Sequence, residues 1–319
     1  MKICSARPAP FAVALATVLG ALLAGCTPAR AGEYLKSYTV TGRANVQVDA
    51  RWGAVRVTSS PGSKVEFDVT YEKRDWATDP PIQSRQDGNV VALRALTEEH
   101  LDEGNWWNWS WWGWGGFNSH RLEIEVRMPK DADLRVQTTN GAIDVSSVNG
   151  TISIQTRNGR ITAQRLSGII DIGSTNGGVD LDTLKGELSV HTTNGRVIAS
   201  RIDGKCDLAT SNGGMQVEGR FESLDLSSTN GGVVARAEPG STMSSNWSIR
   251  TTNGRVDLEL PTDLKANLRV DTNNGRIKLD LPVTTQGYEE RGRIRGTLNG
   301  GGPQMSVSTT NAGIHLRGI

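Results

Sequence analysis

Apolar residues recur every nine positions at Ile143, Ile152, Ile161, Ile170, Val179, Leu188, Val197, Cys206, Met215, Leu224 and Val233. The positions two residues further on are apolar as well, running from Val145, Ile154 and Ala163 to Val217, Leu226 and Ala235. Between the members of each pair the residue is mostly polar, as in Asp144, Ser153, Thr162, Asp171 and Asp180. Apolar positions two apart predict a strand with one buried face. A short fixed period predicts stacked repeats.

The corners between these strands alternate in kind. Thr139-Asn140-Gly141, Thr175-Asn176-Gly177, Thr193-Asn194-Gly195, Ser211-Asn212-Gly213 and Thr229-Asn230-Gly231 form one set. Leu166-Ser167-Gly168, Leu184-Lys185-Gly186 and Ile202-Asp203-Gly204 form the other. Asn-Gly supplies the φ > 0 conformations of a tight turn. The true repeat is therefore eighteen residues: strand, Asn-Gly corner, strand, apolar corner. A meander of hairpins gives no reason for two corner types to alternate or for every strand to keep one length. An all-β, two-sided β-solenoid (a β-helix, right- or left-handed) of roughly 18-residue coils explains both.

Outside this stretch the strand pattern is less regular. Strands are expected at Asn45 to Ala50, Gly53 to Thr58, Lys64 to Glu72, Val90 to Ala95 and Leu122 to Met128, with a loop from Asp75 to Gln86. Residues 36–137 read as an N-terminal β region that caps the open end of a solenoid spanning 138–319. After Ala235 an excursion over Pro239 to Asn246 interrupts the period. It resumes at Asn253-Gly254, Asn274-Gly275 and Asn311-Ala312-Gly313, with a loop and hairpin over Thr284 to Gly302.

The first residues read as a targeting segment. Lys2 and Arg7 precede an apolar run from Phe11 to Leu23, too short for a spanning helix. Leu23-Ala24-Gly25-Cys26 resembles the lipobox of bacterial lipoproteins. That resemblance implies a signal peptide over 1–25, acylation of Cys26, a tether over 26–35 and a membrane anchor in the bacterial cell envelope. Thr27 in place of Asp favours the outer membrane. The competing reading is an ordinary secretory signal cut near Ala31. Residues 1–25 carry both cations and no acid, so the formal charge of +1 becomes 1 − 2 = −1 without them. A near-neutral chain gives no electrostatic case for nucleic acid as a partner. With Cys4 removed and Cys26 acylated, Cys206 remains alone in an inward column. It reads as a small buried hydrophobe.

The recurrent Thr-Asn-Gly-x-Ile/Val turns extend the resemblance. Val126-Arg127-Met128-Pro129 leading to Leu134, the Asn-Gly series from Asn140 and the ending Thr310-Asn311-Ala312-Gly313-Ile314-His315-Leu316 resemble a bacterial putative-adhesin β-solenoid domain family of unknown function. The likeness runs from about Ala44 to Ile319 and implies a fold and an envelope location, with no reaction.

One stretch falls outside that pattern. Trp106, Trp107, Trp109, Trp111, Trp112 and Trp114 lie within a Gly-containing insertion over 105–117. They read either as an aromatic pack over the solenoid end or as an exposed surface for a glycan, peptidoglycan, envelope protein or bilayer interface. Catalytic chemistry has one candidate. Asp171, Ser189, Asp207 and Asp225 fall in one outward column, and rungs ~4.8 Å apart make Asp207 and Asp225 neighbours. That column is the basis of an alternative reading as a carbohydrate-active enzyme, a polysaccharide lyase or glycosidase. The residues favour a non-enzymatic binding or structural surface. His100, His120, His191 and His315 lack metal-ligand spacing, and corner Asn in place of Asp makes calcium unnecessary. No cofactor is expected. The Asn column is expected to hydrogen-bond along the stack, as amide ladders do in cross-β structure.

Overall fold

A computed structural model of the chain describes residues 31–72, 82–95, 122–285 and 292–319, and the regular elements among them are β-strands. Alternation in sequence becomes alternation between core and solvent. In the strand Ile161–Ser174, Ile161, Ala163, Leu166, Ile170 and Ile172 are buried, and Arg165 and Asp171 are exposed. Successive strands pair in parallel at a constant offset. Ile161 lies beside Val179, Val179 beside Val197 and Val197 beside Met215 on one face. Ile170, Leu188, Cys206 and Leu224 stack in the same way on the other. The fold is thus a two-sided β-solenoid with the expected repeat.

The two corners solve the turn differently. At the apolar corner the fourteen-residue strands bend without ending. Arg165, Thr183 and Arg201 adopt left-handed backbone at φ 53°, 59° and 55°. Each such non-glycine residue costs on the order of 1 kcal/mol. The bend turns the next residue inward, and Leu166, Leu184 and Ile202 are each 2% exposed. Burying a side chain of that size contributes ~2 kcal/mol, which offsets the strain.

At the Asn-Gly corner the reading of the glycine changes. None of Gly141, Gly159, Gly177, Gly195, Gly213 or Gly231 has positive φ. Their role is close approach: a Cβ on Gly177 would lie 1.7 Å from the carbonyl oxygen of Gly159 one rung away, and the other rungs repeat this contact. Ala312 stands in the same column at a later rung. The corner amides stack as expected. Asn158 Nδ2 donates to Asn140 Oδ1 at 2.6 Å, and the chain of bonds continues through Asn176, Asn194, Asn212, Asn230, Asn253 and Asn311 to Asn274 at 2.7–2.8 Å. Beneath the ladder runs a buried hydroxyl column. Ser228 Oγ accepts from Gly231 N at 2.9 Å and donates to Gly213 O at 3.2 Å, and Thr210 does the same with Gly213 and Gly195. Each such bond is worth about 1 kcal/mol net.

The order of coils in space differs from the order in sequence at both ends. The strand Ala44–Trp52 stacks in register on Ala132–Asn140, and Ala54–Ser60 stacks on Ile143–Ser146. Residues 44–60 are therefore a coil of the solenoid, and the boundary read at 137/138 does not divide the architecture. The period is hidden there because residues 61–131 intervene in sequence between this coil and the one it stacks on. They include Val90–Ala95 and Leu122–Pro129, which form a further coil outside 44–60. At the other end Gln304–Thr309 and Ile314–Gly318 lie between the coil 247–260 and the coil 266–280. The last strands of the chain are internal.

Antiparallel strands close the ends. Ile82–Asp87 covers Val90–Ala95, and Lys64–Glu72 covers Leu122–Pro129. The loop read over Asp75 to Gln86 therefore contains a strand. Ala31–Thr39 pairs outside Lys64–Glu72, so the segment read as tether to residue 35 is already sheet from Ala31. Alternating burial at this edge was too weak in sequence to predict it. Tyr34 and Tyr38 hydroxyls reach Ser84 Oγ at 2.6 and 2.5 Å and tie the two outer strands together. At the far end Arg293–Leu298 and Thr284–Thr285 make the expected hairpin over Ala266–Thr272. The excursion before Trp247 brings that indole, 1% exposed, edge-on to Phe221 at 6.3 Å. Cys206 is buried at 2% exposure, and burial pushes its thiol well above the usual range, with Asp207 adding to the shift.

Close packing at the corner separates two adjacent glycines. Gly177→Ala places a methyl in the backbone of the next rung and should destabilise by roughly 3 kcal/mol or more. Gly178→Ala meets nothing nearer than Arg196 O at 3.5 Å and should change stability by less than about 0.5 kcal/mol. Chemical denaturation of both variants checks the assignment; equal losses contradict it.

Candidate functional site

Cys26 and the six tryptophans from Trp106 to Trp114 lie outside the described residues, as do His100 and His120. The flanks of the Trp-rich insertion are placed. Ala95 ends a strand on one face and Leu122 begins a strand on the other. The corner on the next rung is Trp52-Gly53, with Trp52 in register with Asn140 at the head of the Asn ladder.

The carboxylate column assembles as the register requires. Asp171 pairs with Ser189, Ser189 with Asp207 and Asp207 with Asp225. Burial, and then the neighbouring Asp207 carboxylate, push Asp225 above the ordinary aspartate range against the pull of Arg250. The column stands on an open sheet face. A glycosidase pair flanks the scissile bond, and Asp207 and Asp225 are both exposed on neighbouring strands. Asp225 still carries a testable cost. A raised folded-state pKa means that the native state binds the proton more tightly than the unfolded chain, so stability falls as pH rises through that window. Asp225→Asn should therefore raise the melting temperature at pH 7 and give no gain near pH 3. Thermal denaturation at both pH values measures it; a destabilised variant at pH 7 contradicts the assignment.

A second polar group was not apparent from sequence. His315 Nε2 lies 2.7 Å from Asp280 Oδ2 and its Nδ1 lies 3.6 Å from Asp257 Oδ1. Hydrogen bonds from Lys278 and His315 hold Asp280 below the usual range. Asp257 and Asp280 belong to consecutive coils, and the interleaved order inserts the last coil, with His315, between them. Among the described residues no cluster of three or more His, Cys, Asp or Glu is arranged to hold a metal ion.

Among the described residues the Asn-Gly corners, with Trp52-Gly53 and Asn311-Ala312 as variants, form one file along the stack. Ten corners are described: 51–54, 139–142, 157–160, 175–178, 193–196, 211–214, 229–232, 252–255, 310–313 and 273–276. Thr175, Thr193, Ser211, Thr229 and Thr252 are exposed beside the exposed Asn of the same rung. These corners hold Arg51, Arg157, Arg160, Arg196, Arg255 and Arg276 and no Asp or Glu, in a chain of 35 cations and 34 acids. The opposite, apolar corners mix the signs: Arg220 bonds Asp203 at 2.8 Å. The corner arginines were readable beside each Asn-Gly, but their alignment needed the register.

Solved structures similar to this fold include a putative adhesin from Bacteroides fragilis NCTC 9343, 10% identical with a TM-score of 0.38, covering 90% of this chain and 97% of that one. Another is a putative adhesin from Parabacteroides merdae ATCC 43184, 12% identical with a TM-score of 0.38, covering 88% and 95%. A third is a putative lipid binding protein from Parabacteroides distasonis ATCC 8503, 11% identical with a TM-score of 0.40, covering 89% and 96%. No curated protein matches the sequence. The family model described as Toastrack DUF4097 matches residues 45–317, nearly the whole of the stacked region and both of its interleaved ends, and the chain belongs to that family.

Proposed function

We propose that this chain is a non-enzymatic binding surface of the bacterial envelope, held to the outer membrane by acyl chains on Cys26. The observation that carries the reading is the architecture itself. A long stack presents open faces and edges, and the carboxylate pair Asp207 and Asp225 stands on such a face. A rigid repeat of this kind offers an extended contact surface. Trp106, Trp107, Trp109, Trp111, Trp112 and Trp114 supply the contact to a glycan, to peptidoglycan or to an envelope partner. Tryptophan combines a broad apolar face with an N–H donor, and both serve a contact. With the first strand beginning at Ala31, only residues 27–30 separate Cys26 from the sheet, so the folded part stays close to the membrane.

The raised pKa of Asp225 beside Asp207 favours a second reading, a carbohydrate-active enzyme using that pair. Turnover of a bound polysaccharide that is lost in Asp207→Asn and Asp225→Asn would establish it; binding without turnover supports the first reading.

Two outcomes are expected of the anchored binding surface. Cys26→Ala should abolish labelling by a fatty-acid probe and leave soluble protein or uncleaved precursor; a variant that partitions normally with membranes rules out the anchor. Deleting residues 105–116 should leave the main melting transition within a few degrees, on the order of a 1 kcal/mol change, while abolishing retention on peptidoglycan or glycan columns. A large loss of stability would make the stretch a structural cap instead.

A further inference from the structure

We infer that the Asn-Gly edge is a binding track for an extended, acidic polysaccharide. This deepens the reading of the chain as a non-enzymatic binding surface and concerns a part of it separate from the Trp-rich insertion. Three properties of the edge combine. The first is geometry: the corners form a continuous file, bonded rung to rung from Asn140 to Asn274, with a rung every ~4.8 Å, suited to an extended polymer. The second is unused hydrogen-bonding capacity. Each ladder amide spends one N–H and one lone pair on its neighbours, for example Asn194 between Asn176 and Asn212. An amide has two donors and an acceptor oxygen with two lone pairs, so one N–H and one lone pair remain on every internal rung. The exposed Thr or Ser hydroxyl beside it adds another donor and acceptor. Such a file matches the hydroxyls of successive sugars.

The third property is charge. The edge carries six arginines and no acid, which a structural ladder alone does not require. Arg160 and Arg255 lean back to Asp180 at 3.4 Å and Asp257 at 3.0 Å, one column behind the edge. Exposed pairs of this kind are weak, and a guanidinium can exchange such a partner for a bidentate ligand carboxylate. Trp52, half-buried at the head of the file, offers a face for a terminal sugar ring. A duplex nucleic acid fits less well. Its bases are closed off in the helix from the amides and hydroxyls of the file, and the described edge has no row of aromatic residues for stacking single-stranded bases.

The test uses the full-length protein and a variant carrying Arg160→Gln, Arg196→Gln, Arg255→Gln and Arg276→Gln, with matched melting temperatures as the folding control. Immobilised polygalacturonate, dextran and duplex DNA serve as probes. The expected result is binding to polygalacturonate, weakened by salt and roughly tenfold or more by the four substitutions, with little binding to dextran. Unchanged affinity of the variant overturns the assignment of this edge, and leaves the Trp-rich insertion as the binding surface if its deletion abolishes retention. Tighter binding to DNA than to polygalacturonate overturns the polysaccharide. Where the substitutions lower the melting temperature, Arg276→Gln alone, at a rung beside the C-terminal cap, is compared instead: it should weaken polygalacturonate binding measurably, and an unchanged constant counts against the track.

Discussion

Parallel, in-register stacking is the constraint from which the rest of this molecule follows. A rung bonds to the rungs above and below along the backbone of both its strands, so any residue placed at a corner must fit against its own equivalents. Glycine is favoured where carbonyl and Cα approach within contact, with Ala312 the exception among the described corners: a methyl at Gly195 would stand 1.9 Å from the Gly177 oxygen. Asparagine is favoured beside it because its amide is both donor and acceptor, so identical side chains satisfy one another without limit along the axis. Hydroxyls of Thr and Ser fill the space beneath for the same reason. Thr138 shows the limit of the device: at the rung next to Trp52-Gly53 its buried Oγ1 has no partner, since the ladder has just begun.

A stack of open rungs would continue indefinitely, and exposed edges recruit other chains. Here both ends are closed by antiparallel strands, and the chain is also interleaved. The coil 44–60 lies inside the coil that contains Val90–Ala95, and the coil 304–318 lies inside the coil 266–280. The coils 44–60 and 304–318 are thereby each held by neighbours on two sides. Ile277–Asp280, which pairs on one side with Ile314–Gly318, is four residues long, carries Lys278 and is followed by Pro282. Shortness, lysine and proline all blunt an edge.

Much of this architecture was legible in the sequence wherever identical positions recur at identical spacing. The inward columns from Ile143 to Ala235, the alternation of corners, the amide ladder and the burial of Cys206 all follow from one period. What was not legible has a common cause. Long departures from the stack break the period, so the coil at 44–60 and the interleaved end could not be placed by counting. The meaning of Gly177 was also ambiguous, because Asn-Gly serves a positive-φ turn and a close backbone approach equally well. The contact of His315 with Asp257 and Asp280, and the alignment of the corner arginines, depend on which coil lies next to which. The Trp-rich insertion has no periodic neighbour, so counting assigns it no partner.

A surface built this way is rigid by repetition, which suits contact with a repetitive partner better than enclosure of a small one. The central claim beneath it is the interleaved order of coils, and native-state hydrogen exchange tests that order directly. Amides of Gln304–Thr309 and Ile314–Gly318 should be protected at least as strongly as those of Ala266–Thr272 and Ile277–Asp280, because the last segment is flanked by parallel strands on both faces. If the final residues exchange first and the coil 266–280 stays closed, as a sequentially stacked solenoid fraying from its C-terminus would do, the account is wrong.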